Sequence, residues 1–202
     1  MATVAAIRED ALPQEEVLRA DLYGMLGALL ARPPSVDLLA RIAKLEGDGT
    51  PLGQGIGALA TMASHLRPGS IEEEFNTLFI GLTRGELLPY ASYYMTGFLH
   101  EKPLAALRRD MARLGIERAR NVFEPEDSMA SLCEMMAGLI RGDFGPGGLR
   151  PQKDFFNAHV VLWAEHFFTD LEGAKASIFY APVGSIGRAF VGIEREAFRM
   201  GA

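Results

Sequence analysis

Two clusters of acid and a scatter of histidines are the parts of this sequence able to do chemistry. Residues 123–129 read FEPEDSM, which sets Glu124, Glu126 and Asp127 round one proline, with Ser128 just ahead of an apolar run. Residues 72–74 are three consecutive glutamates, and the four histidines are His65, His100, His159 and His166. Groups of this kind build metal centres, acid–base pairs, helix starts or docks for cations.

Spacing removes several of these. A di-iron bundle needs Glu-x-x-His pairs on facing helices, and no glutamate here has a histidine three residues on. There is no H-E-x-x-H, no Cys/His cluster and no phosphate-cradling glycine loop. No G-x-S-x-G nucleophile elbow occurs either. His159 and His166, seven residues apart on one helix, would lie about 10 Å apart along its axis, too far to share a metal. With Phe155 and Leu162 they form a stripe that reads as structural. Glu72, Glu73 and Glu74 fan over about 200° of a helix and cannot face one ligand, so they read as charge favourable to a helix N-terminus. FEPED has the same plain reading, with Pro125 in a first turn and Glu126 and Asp127 at the positive end of the dipole. No cofactor and no metal are expected.

The elements that must position these groups are helices. Of the 202 residues, 49% are apolar and 23% charged, a globular profile with enough chain for one core. From Pro13, the residues Leu18, Leu22, Met25, Leu26, Leu29 and Leu30 mark an apolar face that Pro33 and Pro34 stop. Helices are expected at 36–45 and 56–66, with 47–57 a loop. Ser70 and Glu73 form a capping-box pattern opening a helix that sends Ile71, Phe75, Leu78, Phe79 and Leu82 to the core. A break follows at 81–85, and 88–99 has no clear period. Leu104, Leu107, Met111 and Leu114 mark the next helix, and Met129 to Ile140 another. The longest element is expected at 151–171, and the last at 177–200 with interruptions at Gly184 and Gly187. No alternation of the β type is present. The fold class is all-α, a single-domain bundle of roughly eight or more helices. Residues 1–12 are expected to be a flexible N-terminus, and 13–202 one helical domain with a glycine-rich hinge at 142–148.

The formal charge of −6 disfavours nucleic acid and favours a basic peptide or protein. The lone Cys133 forms no intramolecular disulfide and reads as a buried apolar residue. No signal peptide and no stretch able to insert stably in a membrane is seen, so a cytoplasmic location is expected.

In order, EFNTLFIG (74–81), LPYASY (88–93), EPED (124–127) and QKDFFNAH (152–159) with Trp163 resemble the TorD/DmsD/NarJ family of molybdoenzyme maturation chaperones. The resemblance spans about residues 15–195. It implies an all-helical, non-enzymatic cytoplasmic chaperone that binds the twin-arginine signal peptide of a molybdopterin-dependent oxidoreductase and holds the catalytic subunit until its cofactor is in place. The residues placed at the signal-peptide site are Glu124, Glu126, Asp127 and Ser128 for the arginines, and Leu78, Phe79, Leu87, Pro89, Tyr90, Ser92 and Tyr93 for the apolar stretch. Two positions leave the family pattern: Ser128 stands where Glu-Pro-x-Asp-His has histidine, and Gly81-Leu82-Thr83 where Gly-Pro-Gly is usual. Ser128 can cap a helix but cannot titrate near neutrality. The alternative is a small-molecule or cofactor-binding helical protein, possibly an enzyme. The chain is expected as a monomer, or as a dimer exchanging C-terminal helices through the 142–148 hinge.

Overall fold

A computed structural model of the chain describes residues 12–118, 124–145 and 148–201. The expected flexible segment at 1–12 falls almost wholly outside these residues, as do two positions of the glycine-rich loop. Ten α-helices are present among the described residues: α1 (Gln14–Ala31), α2 (Val36–Ile42), α3 (Pro51–His65), α4 (Pro68–Phe75), α5 (Ala91–Thr96), α6 (Lys102–Leu114), α7 (Met129–Arg141), α8 (Leu149–Phe155), α9 (Ala164–Gly173) and α10 (Tyr180–Met200). Single π-helical turns extend α4 over Asn76–Ile80 and α8 over Phe156–Val160. The one β-type pairing among these residues is an isolated antiparallel bridge between Tyr90 and Ser128. The chain is all-α, as the 3.6-residue apolar period requires.

Local chemistry sets most helix ends. Thr50 caps α3 by accepting from the Gly53 N–H, and Pro51 fits the first turn, where a missing N–H costs nothing. Most of the expected 47–57 loop, residues 51–57, is therefore helical. Ser35 caps α2 in the same way. Gly115 and Gly142 end α6 and α7 in left-handed conformations.

Four further expectations are corrected. The expected long helix at 151–171 is broken at Trp163, where φ is −143°. The break is held by the indole Nε1–H, which donates to the His159 carbonyl at 2.9 Å. His159 is consequently buried while His166 and Leu162 are exposed, so the three do not share a stripe. Gly184 and Gly187 do not interrupt α10. They let it approach α9, since a methyl at Gly184 would lie 2.5 Å from the Glu172 nitrogen and one at Gly187 2.2 Å from the Phe168 ring. Finally, the Ser70–Glu73 capping box does not form. The residue that precedes α4 is Arg67, and no side chain caps it.

The glutamate triplet has another task. Glu74 turns inward, and its carboxylate accepts the backbone N–H groups of Ile178 (2.8 Å), Phe179 (3.0 Å) and Tyr180 (2.8 Å). It thus satisfies the orphan donors at the start of α10 from a distant helix. Glu72 and Glu73 stay in solvent. A second interior carboxylate, Glu194 on α10, takes a two-pronged bond from Arg19 on α1 (2.7 and 2.8 Å) and one from the Tyr23 hydroxyl (3.1 Å). Around these joints α1 packs on α7, and α10 on α9 and α3. Trp163, Tyr180, Phe156, Phe167, Phe168 and Phe179 fill one continuous core.

Glu74→Gln removes the charge and one of two acceptor oxygens from three backbone donors, two of them buried. The expected loss is about 2–3 kcal/mol in urea unfolding, against less than about 0.5 kcal/mol for Glu72→Gln or Glu73→Gln. Arg19→Met strands Glu194 in the interior and is expected to cost about 3–5 kcal/mol.

Candidate functional site

The FEPED acids sit in a loop that leads into α7. The loop is stitched to the strand-like segment before α5. Ala91 N–H donates to the Asp127 carbonyl at 2.9 Å, and Met129 N–H to the Pro89 carbonyl at 2.8 Å. These two bonds are the Tyr90–Ser128 bridge, and they set two helix starts side by side. Ser128 caps α7, accepting from the Ser131 N–H at 3.2 Å and donating to the Ser131 hydroxyl at 3.0 Å. The position that departs from the family pattern thus serves the backbone.

Asp127 is 1% exposed. Its Oδ2 accepts both the N–H (2.8 Å) and the hydroxyl (2.5 Å) of Ser92, which is itself fully buried. Its Oδ1 is buried and has no protein partner. Glu126 is also enclosed. Two donors of Arg108 meet its Oε2 at 3.1 and 2.8 Å, and Arg118 approaches Oε1 at 3.6 Å. Burial works against the Glu126 charge, but the Arg108 hydrogen bonds prevail and hold its carboxyl below the ordinary range. Glu124 alone of the three reaches solvent. Partial desolvation pushes its carboxyl up.

The apolar half of the expected site divides in the same way. Leu78 and Pro89 are buried, and Phe79 is half-buried with its ring on Phe75 (5.0 Å) and Tyr180 (5.5 Å). Leu87, Tyr90 and Tyr93 are half-buried. The Arg84 guanidinium lies 5.6 Å from the Tyr93 ring centre. The charges of Glu124 and Asp127 add to desolvation in raising the Tyr90 hydroxyl to about 12, so Tyr90 lies within the field of both acids. Leu82, expected in the core, is fully exposed on the loop after the π turn. Packing therefore claims Leu78, Pro89, Ser92, Asp127 and Ser128. Tyr90, Tyr93, Leu87 and Glu124 retain access.

Two hollows flank the loop. One, of about 160 Å³, has an apolar floor from Met111, Ile116, Met135 and Phe144 under Glu117, Glu124, Glu126 and Glu134, with Arg118 in the same wall. Glu134 is likewise pushed up by desolvation, which outweighs the opposing charge of Arg32. The other, about 330 Å³, lies between α5, α6 and the π turn after α8, with Asp127 and His159 in its wall. His159 Nε2 meets Asp110 Oδ2 at 2.7 Å. Burial opposes the Asp110 charge, but that bond and the imidazole charge hold its carboxyl below the usual range. Beyond this hollow, the end of α5 exposes Met95, Phe98 and Leu99.

Sequence reasoning passed over Glu117, Glu134 and the α5 end. Glu134 and Met135 stand in an apolar run that reads as core, and nothing local marks which turn faces out. Among the described residues no group of three or more His, Cys, Asp or Glu is arranged for a metal ion, and no helix is long and apolar enough to cross a membrane.

Comparison with known proteins accords with this architecture. Residues 46–169, more than half of the chain, match the family model described as nitrate reductase delta subunit. The chaperone protein TorD of Vibrio cholerae is 25% identical over 194 residues, 86% of this chain and 88% of that protein. TorD of Vibrio parahaemolyticus is 23% identical over 195 residues, 85% and 90% of the two chains. A solved structure described as a redox enzyme maturation protein from Archaeoglobus fulgidus has a TM-score of 0.57 at 20% identity, covering 93% of this chain and 99% of that one. The fold is that of the all-helical redox-enzyme maturation proteins. The chain belongs to the nitrate reductase delta subunit family, the TorD/NarJ group of maturation chaperones.

Ser128→Ala removes the α7 cap and is expected to cost about 1 kcal/mol. Ser92→Ala leaves the buried Asp127 carboxylate one donor short and is expected to cost about 1–3 kcal/mol. Both are read from chemical denaturation midpoints.

Proposed function

We propose that this protein is a cytoplasmic chaperone that binds the twin-arginine signal peptide of a molybdopterin-dependent oxidoreductase and assists folding and cofactor insertion before export. The observation that carries the reading is a pair of carboxylates over an apolar floor, Glu124 and Glu134, whose charged forms desolvation disfavours, the Arg32 charge only partly offsetting it at Glu134. A guanidinium supplies a compensating charge and donates two parallel N–H bonds to a carboxylate, while its flat faces rest on apolar surface. The weakly apolar stretch of such a leader follows Tyr90 and Tyr93 toward Met95, Phe98 and Leu99. Glu126, paired with Arg108, shapes the hollow without being its free charge. The family to which the chain belongs supports the choice of a redox enzyme as client.

The test is calorimetric titration of the full chain with a twin-arginine leader peptide, its Lys-Lys variant and a scrambled one. The native peptide is expected to bind tightest. Glu124→Gln with Glu134→Gln is expected to cost about 1–2 kcal/mol, roughly 5- to 30-fold in affinity, and to flatten the salt dependence. Equal binding of all three peptides rejects leader recognition, and an unaffected double variant rejects this hollow as the arginine seat.

A pH dependence follows. The empty carboxyls of Glu124 and Glu134 titrate above the ordinary glutamate range because desolvation penalises their charged forms, and a bound guanidinium favours those forms. Affinity is therefore full near neutrality. It declines as pH falls through these raised values, beginning above the range of a free glutamate. The same titration repeated down the pH scale measures it, and the double variant is expected to lose the decline.

A further inference from the structure

A hollow lined by carboxylates attracts an ammonium as well as a guanidinium, because charge alone does not tell the two apart. Shape and hydration separate them. A guanidinium is planar, weakly hydrated and stacks on aromatic faces, whereas an ammonium is a compact, strongly hydrated point charge. Four residues make the floor beneath Glu124 and Glu134, and they are not equivalent. Met111, Ile116 and Met135 are buried members of the core. Phe144 is half-buried, and it is the one aromatic side chain among the described residues that line this hollow. The position of its ring is set from α7. Gly138 follows Glu134 by four residues, so it shares that face of the helix about one turn, or 5.4 Å, further on. A methyl at Gly138 would lie 2.4 Å from the Phe144 Cε2 and 2.6 Å from its Cζ, so the missing side chain is what admits the ring. The backbone fixes the approach. Gly142 turns the chain back with φ at 77°, and the Asp143 N–H donates to the Gly138 carbonyl at 2.9 Å.

We propose that Phe144 is the specificity-determining residue of this hollow, the aromatic face on which a ligand guanidinium stacks while a carboxylate takes its N–H edge. The inference rests on the reading of the hollow as the arginine seat, and adds to it the group that rejects lysine. The resident cation does not perform this task. Arg118, in the same wall, donates to the Glu124 carbonyl at 3.0 Å and approaches Glu126 at 3.6 Å. Its charge opposes either ligand cation alike and so sets affinity, not choice.

The experiment compares, by calorimetry on the full chain, the twin-arginine leader peptide with its Lys-Lys variant. Phe144→Leu keeps an apolar side chain and removes the aromatic face. It is expected to weaken the native peptide about 3- to 10-fold and to change the Lys-Lys peptide less than about twofold. Phe144→Tyr is expected to retain the wild-type preference, and Gly138→Ala, which displaces the ring but leaves it in the sequence, to lose it. A second measurement depends on no variant's folding. With phenylalanine rings isotopically labelled in the wild-type chain, n-butylguanidinium is expected to shift the Phe144 ring resonances at least threefold more than n-butylammonium at matched chloride. The proposal is overturned if Phe144→Leu weakens both peptides equally or neither, if Phe144→Tyr behaves as Phe144→Leu, if Gly138→Ala keeps the preference, or if the two butyl cations shift the ring alike. If Glu124→Gln with Glu134→Gln leaves the native peptide unaffected, the arginine seat is rejected and the assignment falls with it. If that double variant weakens binding while the preference for arginine survives Phe144→Leu, the assignment to Phe144 alone fails.

Discussion

Much of the functional surface rests on one short hydrogen-bonded pair, the Asp127 carboxylate and Ser92. That contact, with the two backbone bonds of the Tyr90–Ser128 bridge, joins segments 35 residues apart in sequence. It fixes where α5 begins and where α7 begins. The candidate residues are measured from there: Glu124 three residues before the bond, Tyr90 and Tyr93 on either side of Ser92, and the two hollows that the loop helps to line. If the pair is broken, the acids and the aromatics lose their common frame, even though each remains in the sequence.

The chain is acidic, yet several of its acids serve as interior joints. Glu74 closes the start of α10, Glu194 ties α1 to α10 through Arg19, and Glu126 is held by Arg108. A buried carboxylate is tolerable where backbone N–H groups or a guanidinium replace its water. Formal net charge consequently overstates the negative surface left for a partner. The fold also separates two kinds of acid that composition treats alike: those matched by donors within it, and those, such as Glu124 and Glu134, whose charged forms desolvation disfavours on balance.

Helices were legible because their apolar period, glycine stops and proline starts are local, and Ser128 was legible as a cap for the same reason. The errors share a cause as well. Trp163 breaks a helix with neither proline nor glycine to announce it, because the signal is a bond from its indole to a carbonyl one turn back. Gly184 and Gly187 looked like weak points in α10 and are instead the seam against α9, which only the neighbouring Phe168 reveals. At the candidate site, EPED announces a helix, but Pro125 does not stand in its first turn, since α7 begins at Met129 behind the Ser128 cap, and local sequence does not tell which carboxylates turn inward. Asp127 and Glu124 differ in burial because Ser92 lies opposite one and solvent opposite the other.

The Glu74 contact also bears on the order in which the chain can mature. The donors it satisfies lie 104 to 106 residues further on. During synthesis α4 emerges well before its partner, and its carboxylate remains hydrated until the start of α10 has left the ribosome. The joint can close only when nearly all of the polypeptide exists, so a nascent chain cannot commit this part of its interior early.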